Sequence, residues 1–537
     1  MNPVLDLRHA YATFPCILIG GRQLCRIQMR DQLFSLNPHN SENLQQQIRE
    51  LMVNAILEGQ LPRASPVPSC RAMAKRLGVS RNTVVLAYDR LIEDGFLVSQ
   101  ERSGYYVAGE LPERCSSAAV TTSRDRRRRE QLADGSWDVR LRAFPSRQRN
   151  ISKPADWRRY PFPFVYGQPD LTLFPYARWR ECTHDAVSEM AIHDWAYDKI
   201  DSDDPLLIQQ LQSKVLPRRG VWARPDEILV TMGAQHALYL ISQLLMGPGV
   251  TVGMEDPGYV DAKNIFLSSG ARIVALPVDM HGLIISDRLR ECDIVYLTPS
   301  HQIPTTVTMS RARREELLKL AAEADIVLIE DDYDSEINFS SEPTAALMSL
   351  TPFDRVLYVG SLSKSLSPGL RLGYLIGPQR VVQEARALRR LMIRHAPSNI
   401  QATTALFLAR GYHEMLLHRL WKVYEMRWEL MHNAIERYLP GMTPHQTVGG
   451  TSFWVVGPEE LHCVELTADA AKAGVLIEPG DVHFMAVDPP MRCFRLGFSA
   501  APESCIVEGI KRLAFVVQKH VKRRGGRFAV AAYGSRQ

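Results

Sequence analysis

Along residues 44–95 the apolar positions recur at helical spacing, and beyond about residue 160 they gather into short unbroken runs. Residues 1–40 have no clear periodicity and read as an amino-terminal extension, with Met29 as an alternative start. Leu44, Ile48, Leu51, Ala55 and Ile56 share one helical face. Ser69 stands before a short helical pattern through Arg71, Ala72, Met73 and Leu77. Leu77-Gly78-Val79-Ser80 makes a turn, and Ser80 caps a helix that turns Val84, Ala87, Tyr88 and Leu91 inward. Arg81, Asn82 and Thr83 are left at its exposed amino end, and Gly95–Val107, with Gly104 near its middle, reads as a hairpin.

The later pattern alternates. Glu227–Thr231, Thr251–Met254, Arg272–Val278, Asp293–Leu297, Ile326–Ile329 and Val356–Val359 are short apolar runs, with helical stretches at Ala234–Met246 and Arg311–Ala324. Such alternation predicts an α/β unit with a mainly parallel sheet, which binds ligands at the carboxyl ends of its strands. Between the two patterns the composition shifts to serine, threonine and arginine, with Arg126–Arg129 in one run. The expected organisation is an extension (1–40), a small helical domain (41–110), a basic flexible linker (111–160), a large α/β domain (161–520) and a basic tail (521–537).

The chain has 537 residues, too many for one ordinary core, and its net charge of +5 does not by itself announce a nucleic-acid partner. Nine cysteines lack paired CxxC spacing, which argues against a zinc site and a disulfide framework and for reduced thiols in the cytoplasm. No apolar run is of membrane-spanning length, and Phe14–Gly20 is too short and wrongly flanked for a signal peptide.

The chemistry concentrates in Ser361–Pro378, SLSKSLSPGLRLGYLIGP, directly after an apolar run. Lys364 among serines suits a Schiff base with an aldehyde, while hydroxyls and Arg371 suit a phosphate. Gly233-Ala234-Gln235 follows a strand and opens a helix, so the free amides of Ala234 and Gln235 favour the same phosphate. Tyr259, after Asp256-Pro257-Gly258, could stack on a pyridine ring, although an aromatic after Pro-Gly more often packs a turn, and one polar residue of Thr298–Thr305, His301 or Gln302, could reach a ring hydroxyl. In Glu330-Asp331-Asp332-Tyr333 a carboxylate beside the pyridine nitrogen would keep it protonated, and Tyr333 could hold the ring oxygen. Arg495, in a late apolar strand, suits a carboxylate ligand or, alternatively, an internal acid. No residues suggest a metal.

Residues 44–108, above all LGVSRNTV, resemble the winged helix-turn-helix of GntR transcription regulators. The resemblance implies double-stranded DNA as partner, contacted from the recognition-helix end and wing: Arg71, Ser80, Arg81, Asn82, Thr83 and Gly104. Arg63-Ala64-Ser65-Pro66-Val67 departs from the family's usual Pro-Gly turn. Residues 160–517, through PSHQ, EDDYDSE and SLSKSLSPGLRLGY, resemble the aspartate-aminotransferase-like (fold-type I) domain of MocR-type regulators, the GntR subgroup that carries it. That implies pyridoxal 5'-phosphate bound as an aldimine to Lys364, with Asp331 on the pyridine nitrogen (Glu330 a second candidate), Tyr333 on the ring oxygen and Tyr259 stacked. Ser361 and Arg371 would hold the phosphate and Arg495 an effector carboxylate. The family's Pro-Thr-Gly is here Pro304-Thr305-Thr306, which alters the permitted backbone angles.

The leading expectation is a regulator that senses an amine or amino acid by exchange of the Lys364 aldimine, acting as a homodimer on a paired DNA site. Arg495 would admit γ-aminobutyrate, taurine, ectoine breakdown products and common amino acids. Two alternatives stay open: a working aminotransferase with an accessory DNA-binding domain, against which the fused LGVSRNTV unit counts, and a sensor of pyridoxal phosphate itself.

Overall fold

A computed structural model describes residues 43–100, 103–109, 137–138, 140–334, 336–338, 345–350, 355–443 and 449–526. The extension (1–40), most of the linker and the tail beyond 526 lie outside the described residues. The chain forms two compact units that divide between Leu141 and Arg142.

In the first unit, helices α1 (Leu44–Leu57), α2 (Cys70–Leu77) and α3 (Arg81–Glu93) precede a hairpin of β1 (Leu97–Gln100) and β2 (Gly104–Val107). Its core joins Ile48, Met52, Ala55 and Ile56 of α1 to Met73, Val84, Ala87, Tyr88 and Leu91. The buried stripe of α1 thus runs one step aside from the expected one: Met52 is buried, Leu51 lies at the margin and Leu44 is exposed. Each buried Leu, Ile or Met contributes about 1.5–3 kcal/mol, so this small core depends on the α1 stripe. The unusual loop before α2 is held by the wing: Val67 N donates to Tyr105 O at 2.9 Å, Val107 N to Ser65 O at 2.9 Å and Ala64 N to Val107 O at 3.1 Å. Ala64 takes φ 57°, the left-handed region that a glycine adopts without strain.

The second unit is built on an eight-stranded sheet. In chain order, after the short β3 (Phe162–Pro163), its strands are β4 (Ile228–Thr231), β5 (Thr251–Asp256), β6 (Arg272–Asp279), β7 (Gly282–Leu283), β8 (Ile294–Leu297), β9 (Val327–Asp332), β10 (Val356–Ser361) and β11 (Gly373–Ile376). Their order in the sheet is β4-β11-β10-β9-β8-β5-β6-β7. Only β11 and the edge strand β7 run against the other six. The expected runs become strands because both faces of the sheet are covered: Leu229, Ile329, Leu357 and Val359 pack against the helix Ala234–Leu245 and its neighbours. Val230, Tyr358 and Tyr374 face the opposite layer with Phe407 and Leu420.

A smaller three-stranded sheet, β12 (Ser452–Val456), β15 (Cys493–Gly497) and β14 (Glu478–Pro479), packs with the helices Tyr412–Tyr438 and Glu503–Arg523; β13 (Val475–Leu476) pairs with β3.

This unit also takes in residues 142–160, which composition assigns to the linker. Arg149 Nη2 bonds Asp481 Oδ2 at 2.5 Å, and Asn264 Nδ2 donates to Arg149 O at 3.0 Å and to Asn150 Oδ1 at 2.8 Å. Polar residues there dock by specific hydrogen bonds, which composition does not register.

Candidate functional site

Because six strands share one direction, their carboxyl ends meet along one edge, and the sequence-predicted residues of this unit other than Arg495 lie at or just beyond that edge. At one end of the site, β4 leads through Gly233 into the helix Ala234–Leu245. The first amides of that helix to donate within it are those of His236 and Ala237, both to Gly233 O, so those of Ala234 and Gln235 point out of the helix start. Arg371, just before β11, reaches across to them and donates from Nη2 to Met232 O at 3.0 Å. Gly233 takes φ 81°, a conformation that favours glycine, and a Cβ there would also crowd that Nη2 at 3.3 Å. Ser361, Gly373 and Thr231 are in register across three strands, which brings Ser361 beside the same helix start. Ser361 Oγ accepts from Ser363 N at 3.2 Å, and Ser363 Oγ is buried without a partner.

Strand alternation separates the three acids of β9. Glu330 accepts the amides of Leu347 at 2.8 Å and Met348 at 3.0 Å. Asp332 pairs with Arg219 at 2.7 Å and accepts from Tyr358 Oη at 2.5 Å. Asp331 faces the other way: its Oδ2 accepts from Tyr296 Oη at 2.8 Å, while Oδ1 is buried with no partner. Burial pushes its carboxyl up to about 7. Of the two sequence candidates, Glu330 is thus taken up by backbone amides and Asp331 has an oxygen to offer.

Tyr259 is half-buried and donates to Asp261 Oδ2 at 3.1 Å. Tyr333 is buried, its hydroxyl donating to His301 O at 3.0 Å. Gln302 is committed internally, donating to Pro257 O and Ile303 O at 2.7 Å and accepting from Thr305. His301 keeps a buried Nε2 without a partner, and burial lowers its pKa to about 4, which leaves the ring neutral. Thr306, in place of the expected glycine, holds φ 62° in the left-handed region.

Lys364 Nζ lies 4.1 Å from the Tyr166 ring centroid and 5.7 Å from that of Tyr333. Burial lowers its pKa to about 8, with Asp334 acting in the opposite sense. Arg495 Cζ lies 3.7 Å from the same Tyr166 ring. Arg495 is almost fully buried, and its Nε donates to Glu478 Oε1 at 2.7 Å with Nη2 against the same oxygen. The internal acid weighed as an alternative for this arginine is therefore present.

In the first unit, Arg71, Ser80, Arg81, Asn82 and Gly104 are exposed and Thr83 is half-buried. Ser80 Oγ caps α3 by accepting Thr83 N at 3.1 Å and lies 2.7 Å from Thr83 Oγ1. Ser80 and Thr83 thus set the start of α3, and Arg81 and Asn82 project from it.

Residues 44–107 match the family of bacterial regulatory proteins described as gntR, and residues 200–513 match aminotransferase class I and II. The regulator TauR of Rhodobacter capsulatus is 37% identical over 90% of this chain and 98% of its own length. The chain belongs to the MocR-type subgroup of GntR transcription regulators. Within that subgroup, the probable rhizopine catabolism regulatory protein MocR of Rhizobium meliloti is 30% identical over 88% of this chain and 93% of its own. Among solved structures, LysN, the α-aminoadipate aminotransferase of Thermus thermophilus, matches with a TM-score of 0.64 at 26% identity. The match covers 73% of this MocR-type chain and 99% of LysN, which was solved with N-(5'-phosphopyridoxyl)-L-leucine.

The aminotransferase fold implies dependence on pyridoxal phosphate in the family. The donor set of this MocR-type chain fits that group: an unpartnered Asp331 oxygen, a free Ser363 hydroxyl, the helix-start amides and Arg371. Sequence reasoning missed Tyr166, Ser363 and Glu478. Ser363 stood in the quoted motif, but Tyr166 and Glu478 lie about 200 and 114 residues from Lys364 and carry no local signal beyond Gly167. Gly167 has φ 73°, and a Cβ there would stand 3.0 Å from Lys364 Nζ.

Proposed function

We propose that this protein is a pyridoxal-phosphate-dependent transcription regulator that binds operator DNA and senses an amine, an amino acid or a derivative by exchange at Lys364. Bound at the strand edge, pyridoxal phosphate would supply an aldehyde carbon that either Lys364 Nζ or an effector amine could hold. Lys364 would hold the cofactor at rest and, once exchanged for the effector, would remain beside it as a free amine. In this reading Asp331 holds the pyridine nitrogen, Tyr333 the ring oxygen, and Tyr259 covers the ring. Ala234, Gln235, Ser361, Ser363 and Arg371 hold the phosphate, and Arg495 receives the effector's anionic group. The observation that carries the reading is the unpartnered Asp331 Oδ1 at the same sheet edge as Lys364, because a buried carboxylate oxygen calls for a donor such as a protonated pyridine.

At the DNA, Arg71, Arg81 and Asn82 are the contacts from the helices, with Ser80 and Thr83 at the start of α3 and Gly104 in the wing. A homodimer in the cytoplasm, reading two half-sites, completes the proposal. Effector binding can regulate only if it favours one arrangement of the DNA-binding heads over the other.

The test is visible absorption of the purified protein during titration with amino compounds, with keto acids assayed in the same sample. The expected result is a saturable spectral change with a narrow class of amines and no accumulating keto acid. Sustained keto-acid release would make the protein an aminotransferase instead.

A further inference from the structure

A cavity of about 470 Å³ opens beside Lys364 and reaches the first turns of the helix Tyr412–Tyr438. Its size suits a small organic molecule. Tyr333, Asp334, Glu336, Glu414 and Trp421 line it together with the lysine.

Its charges do not cancel. Asp332 is matched by Arg219 at 2.7 Å, and Glu414 by Arg218 at 3.5 Å. Among the described residues, the basic side chain within 4 Å of Glu336 is His413 at 3.7 Å, whose pKa burial lowers. Asp334 is 3% exposed and accepts from Thr451 Oγ1 at 3.2 Å through Oδ2, but Oδ1 has no partner. Among the described residues, the other basic side chains on the wall are His418 and Lys364, and the proposed function commits Lys364 to the cofactor. With Lys364 so engaged, two carboxylates face the cavity without a fixed positive charge, and one of them is a buried orphan, an arrangement that favours a cation. Trp421 ties its Nε1 to Asn338 O at 2.7 Å, so it presents its indole to the cavity in one orientation, a surface of the kind that attracts ammonium and guanidinium groups.

We infer that this cavity is a cation subsite. It takes the ammonium or guanidinium end of an effector that carries a second basic group besides its reacting amine. The inference deepens the reading of Lys364 and rests on it.

The full-length, cofactor-loaded protein is titrated with 1,5-diaminopentane and with pentylamine, which lacks the second charge. Absorption reports exchange at Lys364, and calorimetry reports binding whether or not exchange follows. The diamine is expected to bind at least about tenfold more tightly, as one charge-assisted hydrogen bond in a buried site provides. Glu336→Gln and Asp334→Asn should each erase most of that preference, with the pentylamine midpoint in the Glu336 variant within about twofold of wild type. Equal midpoints for the two amines in the wild type would overturn the inference and leave the Lys364 reading standing. Saturable diamine heat lost in Glu336→Gln, with no spectral change, would keep the subsite and overturn the exchange. Neither heat nor spectral change with either amine would overturn both.

Discussion

Arg495 Nε donates to Glu478 Oε1 at 2.7 Å, so the arginine assigned to the effector's anion is already held by an acid of its own chain. Glu478 also lies 3.3 Å from His483 Nε2, whose ring meets Trp454 edge-on. A carboxylate-bearing effector must share or displace Glu478. Glu478→Gln is therefore expected to tighten amines that carry a carboxylate by about tenfold and to leave simple amines unchanged. Absorption titrations with a matched pair, such as 4-aminobutyrate and butylamine, check this. An equal change for both would mean that Arg495 has a purely internal role.

Lys364 must be neutral to attack an aldehyde, and burial lowers its pKa to about 8. The rate at which cofactor-free protein takes up pyridoxal phosphate should rise through about pH 8 and then level. An ordinary exposed lysine would climb towards pH 10. A stopped-flow profile still rising at pH 10 would contradict the burial argument.

Asp331 titrates in the opposite sense to a paired surface acid. Its folded pKa is raised from 3.8 to about 7, so the folded state binds more protons between those values. Its contribution is present below about pH 4 and is lost as pH rises through about 7. Asp331→Asn should make the cofactor-free protein lose less stability between pH 5.5 and 8 than the wild type, measured by urea midpoints. The same variant should bind pyridoxal phosphate about 100-fold more weakly or worse, because a buried charge partner is gone. Unchanged affinity would remove Asp331 from the ring nitrogen.

How far the sequence was legible follows from which signals are local. Runs such as Ile228–Thr231 and Val356–Val359 announce strands because both faces are buried, and their order along the chain brings Tyr259, Asp331 and Lys364 to one edge. The resemblance already favours Asp331 over Glu330, and the pleat adds to it by turning Glu330 to the amides of Leu347 and Met348, which no motif encodes. The short antiparallel β11 lay hidden inside the lysine segment, where Gly373–Ile376 reads as a continuation of the loop. Glu478 and Tyr166 reach the site only through tertiary packing. The docking of Arg149 on Asp481 is equally invisible in a stretch that looks like solvated charge.

Thr306, where the resemblance leads one to expect glycine, and Ala64, in the loop that departs from the family's Pro-Gly turn, both sit at positive φ, at 62° and 57°. The left-handed region costs a residue with a Cβ about 1–2 kcal/mol, against about 0.5–1 kcal/mol of extra chain entropy that a glycine loses on folding. Ala64→Gly should therefore stabilise the DNA-binding unit by about 0.5–1 kcal/mol, and Thr306→Gly should do the same or more for the larger unit. Urea midpoints followed separately for the two units check this. A loss of stability would mean that the surrounding contacts favour the side chain more than the backbone disfavours it.

In the proposed function, exchange at Lys364 changes affinity for DNA. Fluorescence anisotropy of a labelled DNA duplex selected for binding to the full-length protein tests it directly, with and without the amine that changes the spectrum. The wild type should show an amine-dependent change in affinity of about fivefold or more, as a coupling of about 1 kcal/mol requires, while Lys364→Ala should bind the duplex and ignore the amine. A Lys364→Ala protein that still answers the amine as the wild type does would contradict sensing by exchange at Lys364.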